Sequence, residues 1–135
     1  MKDILFLIGS ESDTAAVEPG LTLLSEKGMS FDLKILSAHR NLEQLVAFLK
    51  DEEASYRVVI AAAGLSAALP GVVASLVSLP VIGIPLVAGS LSGMDALMSI
   101  LQLPRGVPVA TMGIGKQGVQ NAVLLAERML KIPKS

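Results

Sequence analysis

The chain has 135 residues, the size of one domain, and its 11 Lys+Arg against 12 Asp+Glu leave a formal net charge of -1. That balance argues against a nucleic acid or a membrane surface as a partner held by a basic patch, and 52% hydrophobic against 17% charged residues excludes disorder. Without cysteine, disulfides, thiolate chemistry and zinc-thiolate sites are excluded, and a single histidine, His39, argues against a transition-metal centre.

Met1-Lys2-Asp3 followed by a five-residue apolar run is too short, and too soon broken by Gly9, for a signal peptide, so the cytoplasm is the expected location. The run at 4–8 reads as a strand buried on both faces. A helix follows, with Asp13 as its candidate N-cap and Ala15, Val17, Leu21 and Leu24 on its apolar side. Pro19-Gly20 predicts that this helix starts late or kinks there, because an interior proline loses a hydrogen bond. Phe31, Leu33 and Ile35 alternate with Asp32 and Lys34 as a second strand. Asn41 and Gln44 then have capping-box spacing, and Leu42, Leu45, Val46 and Leu49 share a helical face. Residues 57–63 read as a third strand, Pro70 as the first residue of a third helix, and 81–86 as a fourth strand. A helix at 94–102, a strand at 107–112 and a helix at 117–130 complete the pattern, and the tail at 131–135 is expected to fray. The alternation predicts one α/β domain over 1–135, three-layered around a parallel sheet of about five strands.

Charge is uneven. Sixteen charged residues precede position 58 and six follow position 104, with only Asp95 between. Pro70, Pro80 and Pro85 cut that charge-poor stretch into pieces too short for a membrane span. So little of it can face water that part of its surface is expected to be a subunit interface.

Ligands of parallel sheets bind outside the carboxyl ends of the strands, so residues directly after strands carry the functional information. Gly9-Ser10-Glu11-Ser12-Asp13 offers helix-start amides and two hydroxyls to a phosphate, and Asp13 suits a ribose diol; the same residues could simply cap a helix. Ser37-Ala38-His39-Arg40 sets an imidazole, which can carry a proton either way, beside a guanidinium that forks onto phosphate; a solvated loop is the plain alternative. Gly64-Leu65-Ser66-Ala67-Ala68-Leu69-Pro70-Gly71 lets a ligand approach the backbone, or lets a helix pack closely on the sheet. Gly113-Ile114-Gly115-Lys116-Gln117-Gly118 matches a dinucleotide fingerprint literally, yet it follows the last strand and lacks the acidic residue downstream, so it reads as a turn near a neighbouring subunit.

These motifs, together with Pro80-Val81-Ile82-Gly83-Ile84-Pro85 and the run from Asp95 through Gln102-Leu103-Pro104-Arg105-Gly106-Val107-Pro108, resemble the N5-carboxyaminoimidazole ribonucleotide mutases of purine biosynthesis. Those small flavodoxin-like enzymes are also called phosphoribosylaminoimidazole carboxylase catalytic subunits. The resemblance spans nearly the whole chain. It implies interconversion of aminoimidazole ribonucleotide substrates carrying a carboxyl group on nitrogen or on carbon, with no cofactor and no metal. It implies His39 as the acid/base; Ser10, Ser12, Asp13 and Arg40 as holders of the ribose phosphate; and Ser37, Gly64, Ser66 and Leu69 as further substrate contacts, the last three in the carboxylate pocket. It also implies a homo-octamer.

Two departures stand out. The third loop of the bacterial mutases typically reads Gly-Gly-Ala-Ala-His-Leu-Pro-Gly, whereas Leu65 and Ser66 replace small residues here and Ala68 stands at the histidine position. That pattern resembles the related carboxylases that use carbon dioxide directly, although those usually carry Lys where this chain has Arg40. The chain also stops soon after the last helix, where many relatives continue. Direct carboxylation is therefore the first alternative, and a non-catalytic nucleotide-binding module, which has no use for His39, is the second.

Overall fold

The computed structural model describes residues 1–133; Lys134 and Ser135, part of the tail expected to fray, lie outside the described residues. The strands are β1 (Lys2–Ile8), β2 (Phe31–Ile35), β3 (Tyr56–Gly64), β4 (Val81–Leu86) and β5 (Ala110–Thr111). The helices are α1 (Thr14–Glu26), α2 (Leu42–Glu52), α3 (Leu69–Leu76), α4 (Met94–Leu101) and α5 (Lys116–Leu130), with short 3-10 turns at Glu11–Asp13 and Glu53–Ser55. The strands form one parallel sheet in the order β2-β1-β3-β4-β5, the flavodoxin-like arrangement that the family resemblance implies.

The unbroken apolar run of β1 follows from its place in the middle of three layers. Ile4, Phe6 and Ile8 point into one core, with Val17, Leu21 and Leu24 of α1 and Val119, Val123 and Ala126 of α5. Leu5 and Leu7 point into the other, with Leu45 and Leu49 of α2 and Leu69 and Val73 of α3. Successive side chains leave a strand on opposite faces, so a strand covered on both sides needs no polar residue. Each such side chain contributes about 1.5–3 kcal/mol when fully buried.

Several expectations change in detail. The first helix does not start late but begins at Thr14 and runs through Pro19-Gly20. Gly20 lies against α5, where a Cβ would come 2.9 Å from Val119 Cγ1, so the glycine serves helix-helix contact. Asp13 makes no capping hydrogen bond; the cap is Ser10, whose Oγ accepts from the Ser12 amide at 3.3 Å. Asn41 occupies the expected N-cap position of α2 but makes no side-chain capping hydrogen bond there, because its Oδ1 accepts from the Ser37 amide instead, at 3.3 Å. Leu45 and Leu49 are buried, but Leu42 and Val46 stay exposed at the margin of the stripe. Pro70 follows Leu69 as the second helical residue. β5 is only two residues long, since Gly106 turns with φ 95° and Pro108 has no amide to donate.

At the amino end of the sheet Tyr56 donates to Asp32 Oδ2 at 2.6 Å and Lys2 pairs with Asp32 Oδ1, tying β3, β2 and β1 together. The Arg57 guanidinium donates to the Leu130 carbonyl at 3.0 Å, closing the end of α5. The opposite, carboxyl end is left to the loops. Among the described residues no helix is long and apolar enough to cross a membrane.

Candidate active site

With β1 between β2 and β3, the chain leaves the sheet in opposite directions on either side of β1, which opens a crevice at the carboxyl end. A cleft of about 360 Å³ lies there. It gathers all nine residues singled out in the sequence: Ser10, Ser12 and Asp13 after β1; Ser37, His39 and Arg40 after β2; Gly64, Ser66 and Leu69 at and after β3. A larger groove of about 740 Å³ runs past Leu79, Pro104 and Val107, but Arg105 is its only ionisable side chain, so it offers no acid/base pair.

The loop after β1 is shaped by its own polar groups. Ser10 Oγ lies 2.9 Å from Ser12 Oγ, and the Asp13 amide donates to the Ser10 carbonyl at 3.0 Å. Burial raises the Asp13 carboxyl above its ordinary pKa, opposed by a main-chain hydrogen bond at Ser10. A half-buried carboxylate without a charged partner can accept from donors such as a diol.

The loop after β2 is built on Ser37, which is 8% exposed. Its Oγ accepts from the amides of His39 at 3.2 Å and Arg40 at 3.1 Å. One hydroxyl thereby satisfies two turn amides and presents both side chains to the cleft. His39 Nε2 lies 3.3 Å from the Ser66 carbonyl oxygen across the cleft. Among the described residues Arg40 has no ion-pair partner, which leaves its fork of donors for an anion.

The third side of the cleft is different in character. Leu65 sits in the left-handed region at φ 56°, a conformation that costs a non-glycine residue about 1–3 kcal/mol and is kept only where contacts enforce it. Ala63, Leu65, Ala68 and Leu69 line this side, joined by Ala88 from the loop after β4. Ala88 was missed from the sequence, although the rule that drew attention to the other strand ends applies equally to Val87-Ala88-Gly89. The glycines at 113–118 stand apart from the cleft. A Cβ on Gly118 would fall 1.9 Å from the Gly113 carbonyl, so this glycine packs its own turn rather than a cofactor.

The arrangement brings together an anion fork, hydroxyl and carboxylate groups suited to a sugar, one proton-transfer group and a small apolar chamber. A family model described as AIR carboxylase matches residues 3–135. The N5-carboxyaminoimidazole ribonucleotide mutase of Brucella melitensis is 44% identical over 131 residues, covering 96% of this chain and 81% of the relative. The enzyme of that name from Escherichia coli K12 is 41% identical over 128 residues, 94% of this chain and 76% of its own length. The crystal structure of Treponema denticola PurE superposes with a TM-score of 0.85 at 32% identity, covering 97% of this chain and 81% of that one. With a family match over nearly its whole length and relatives well above the identity at which fold and family part, the chain belongs to the AIR carboxylase family.

Proposed function

We propose that the protein interconverts N5-carboxyaminoimidazole ribonucleotide and 4-carboxy-5-aminoimidazole ribonucleotide in de novo purine biosynthesis, acting as an isomerase. The observation that carries this reading is the convergence of His39, Arg40 and the Ser10–Asp13 loop on one cleft in a chain whose relatives bear the mutase name.

The reaction moves a carboxyl group from the exocyclic nitrogen to the neighbouring ring carbon. The bond between nitrogen and the carboxyl carbon breaks with its electron pair left on nitrogen, and carbon dioxide is released into the cleft. The enamine-like ring carbon then adds to it, and the proton lost from that carbon ends on the exocyclic nitrogen. His39 relays this proton, which is general acid/base work by one group. Arg40, with Ser10 and Ser12, holds the phosphate, and Asp13 accepts from the ribose hydroxyls. Ser37 fixes the turn that presents His39 and Arg40, while Gly64, Ser66 and Leu69 border the carboxyl group. Holding the ring beside the released carbon dioxide replaces a bimolecular carboxylation with a local one.

The protein works as a homo-oligomer in this reading, an octamer, in the cytoplasm. Val87, Leu91, Met94, Met98 and Leu101 are each 46–60% exposed along the loop after β4 and one side of α4. Covering such a stripe recovers about 25 cal/mol per Å² of apolar surface. Direct carboxylation of aminoimidazole ribonucleotide is not favoured, because relatives matched over most of the chain carry the mutase name. Mixing the protein with the C-carboxylated ribonucleotide and following the ultraviolet spectrum tests the assignment: relaxation toward a mixture of the two isomers supports it, and an unchanged spectrum contradicts it.

A further inference from the structure

The strand order fixes the sequence of loops along the cleft as after β2, β1, β3 and β4, so its charged groups lie at one end and, apart from Ser66, its apolar lining at the other. Arg40, Ser10 and Asp13 occupy the end made by the first two loops, and Ala63, Leu65 and Ala88 occupy the end made by the last two. Of these apolar residues Leu65 is the large and exposed one, at 54%. Its backbone is left-handed, and its side chain is seated on Gly89, where an added Cβ would lie 2.9 Å from Leu65 Cδ2. Gly89 is itself at φ 83°, which a side chain there would strain. Behind them Gly64 fits closely against the next loop, since a Cβ there would meet Ala88 Cβ at 2.9 Å and the Leu86 carbonyl at 3.3 Å. The two loops thus meet through glycine, and Leu65, half exposed, lines the cleft at their junction.

We propose that Leu65, seated on Gly89, is the closure that retains carbon dioxide in the apolar end of the cleft between its release from nitrogen and its capture by carbon. The inference rests on the reading of function above. Carbon dioxide is small, uncharged and a poor hydrogen-bond acceptor, so polar side chains cannot hold it; it stays only where its route to water is blocked. Escape has a definite product: the carbamate takes up a proton, carbon dioxide leaves for solvent, and aminoimidazole ribonucleotide remains. Leu65 therefore sets the partition between isomerisation and decarboxylation.

The test uses the whole chain and N-carboxylated substrate labelled with ¹³C in the carboxyl group, in unlabelled bicarbonate with carbonic anhydrase present. The readout is the label kept in the C-carboxylated product and the aminoimidazole ribonucleotide released. Wild type is expected to keep most of the label. Leu65→Ala removes the side chain at a still strained backbone, and Leu65→Gly removes both side chain and strain. Both are expected to release several-fold more aminoimidazole ribonucleotide per product formed. Label retention unchanged in both variants would overturn the proposal, as would loss confined to Leu65→Gly, which would point to backbone conformation alone. Wild type that isomerises but exchanges all its label would overturn it while leaving the function intact. Wild type that does not isomerise at all would overturn the function and this inference together.

Discussion

His39 and Ser66 face each other across the cleft, with the imidazole Nε2 3.3 Å from the Ser66 main-chain carbonyl oxygen. A carbonyl only accepts, so a hydrogen bond at this contact requires Nε2 to be the donor, which in the neutral ring leaves Nδ1 as the acceptor nitrogen. His39 is the sole histidine, so ¹⁵N-histidine labelling isolates one ring. The expected spectrum of the free protein in its neutral form has Nε2 protonated and Nδ1 bare; the opposite tautomer would remove Ser66 as the group that orients the base.

Under the proposed mechanism, replacing the imidazole removes the relay but not the ligand contacts. His39→Asn is expected to lower turnover by about two to four orders of magnitude, the usual worth of a general acid/base, with ribonucleotide affinity changed by a few fold at most. Near-normal turnover in this variant would sink the proposed proton transfer.

Arg40→Lys keeps the charge and loses the planar fork. Affinity for the ribonucleotide should fall, and affinity for the corresponding nucleoside, which has no phosphate, should stay. Equal weakening of both ligands by calorimetry would mean that Arg40 does not hold the phosphate.

Ser37→Ala deletes the oxygen that accepts from the His39 and Arg40 amides. A turn amide left without its partner costs about 1–3 kcal/mol where it is shielded from water. Both kcat and KM should therefore suffer, while Ser12→Ala should act on KM; a Ser37→Ala variant with unaltered kcat would show that the turn holds without it.

Acid stability follows from two carboxylates with opposite displacements. Hydrogen bonding from Lys2, then from Tyr56, lowers the Asp32 carboxyl below its ordinary pKa of 3.8. Its stabilising effect is complete above that value and is lost as pH falls through the lower folded value. Asp13, raised by burial, works the other way, costing stability once pH climbs past the ordinary carboxylate range. Asp32→Asn should therefore flatten the loss of thermal stability below about pH 4, and Tyr56→Phe should cost about 1 kcal/mol at neutral pH. Asp13→Asn should stabilise the free protein at neutral pH while weakening ribonucleotide binding, a trade expected of a binding residue held ready without its ligand. If Asp13→Asn bound ribonucleotide normally, Asp13 would not be a ribose contact.

The parts of this structure that periodicity controls could be read in advance. Ile4 through Ile8 had to be a doubly covered strand, and the polar clusters that follow β1, β2 and β3 had to meet once the strands ran parallel. What could not be read was set by competition between neighbours. Asn41 looks like a cap, but the Ser37 amide claims its side chain. Pro19-Gly20 looks like a late start or a kink, but the helix runs through both residues and Gly20 packs against Val119 of α5. Leu65 gave no sign of its left-handed backbone, which depends on contact with a loop more than twenty residues away. Ala88 was hidden because an alanine after a strand carries no chemical signal of its own.

The central claim is that carboxyl transfer occurs between nitrogen and carbon of one bound ribonucleotide, with His39 moving the proton. The most direct measurement compares two reactions by ultraviolet absorbance under identical conditions: N-carboxylated aminoimidazole ribonucleotide alone, and aminoimidazole ribonucleotide with bicarbonate, each with wild type and His39→Asn. The account predicts rapid appearance of the C-carboxylated product from the first substrate with wild type, much slower appearance from the second, and loss of the first reaction in His39→Asn. Faster product formation from aminoimidazole ribonucleotide and bicarbonate than from the N-carboxylated isomer, or equal rates in the two proteins, would contradict it.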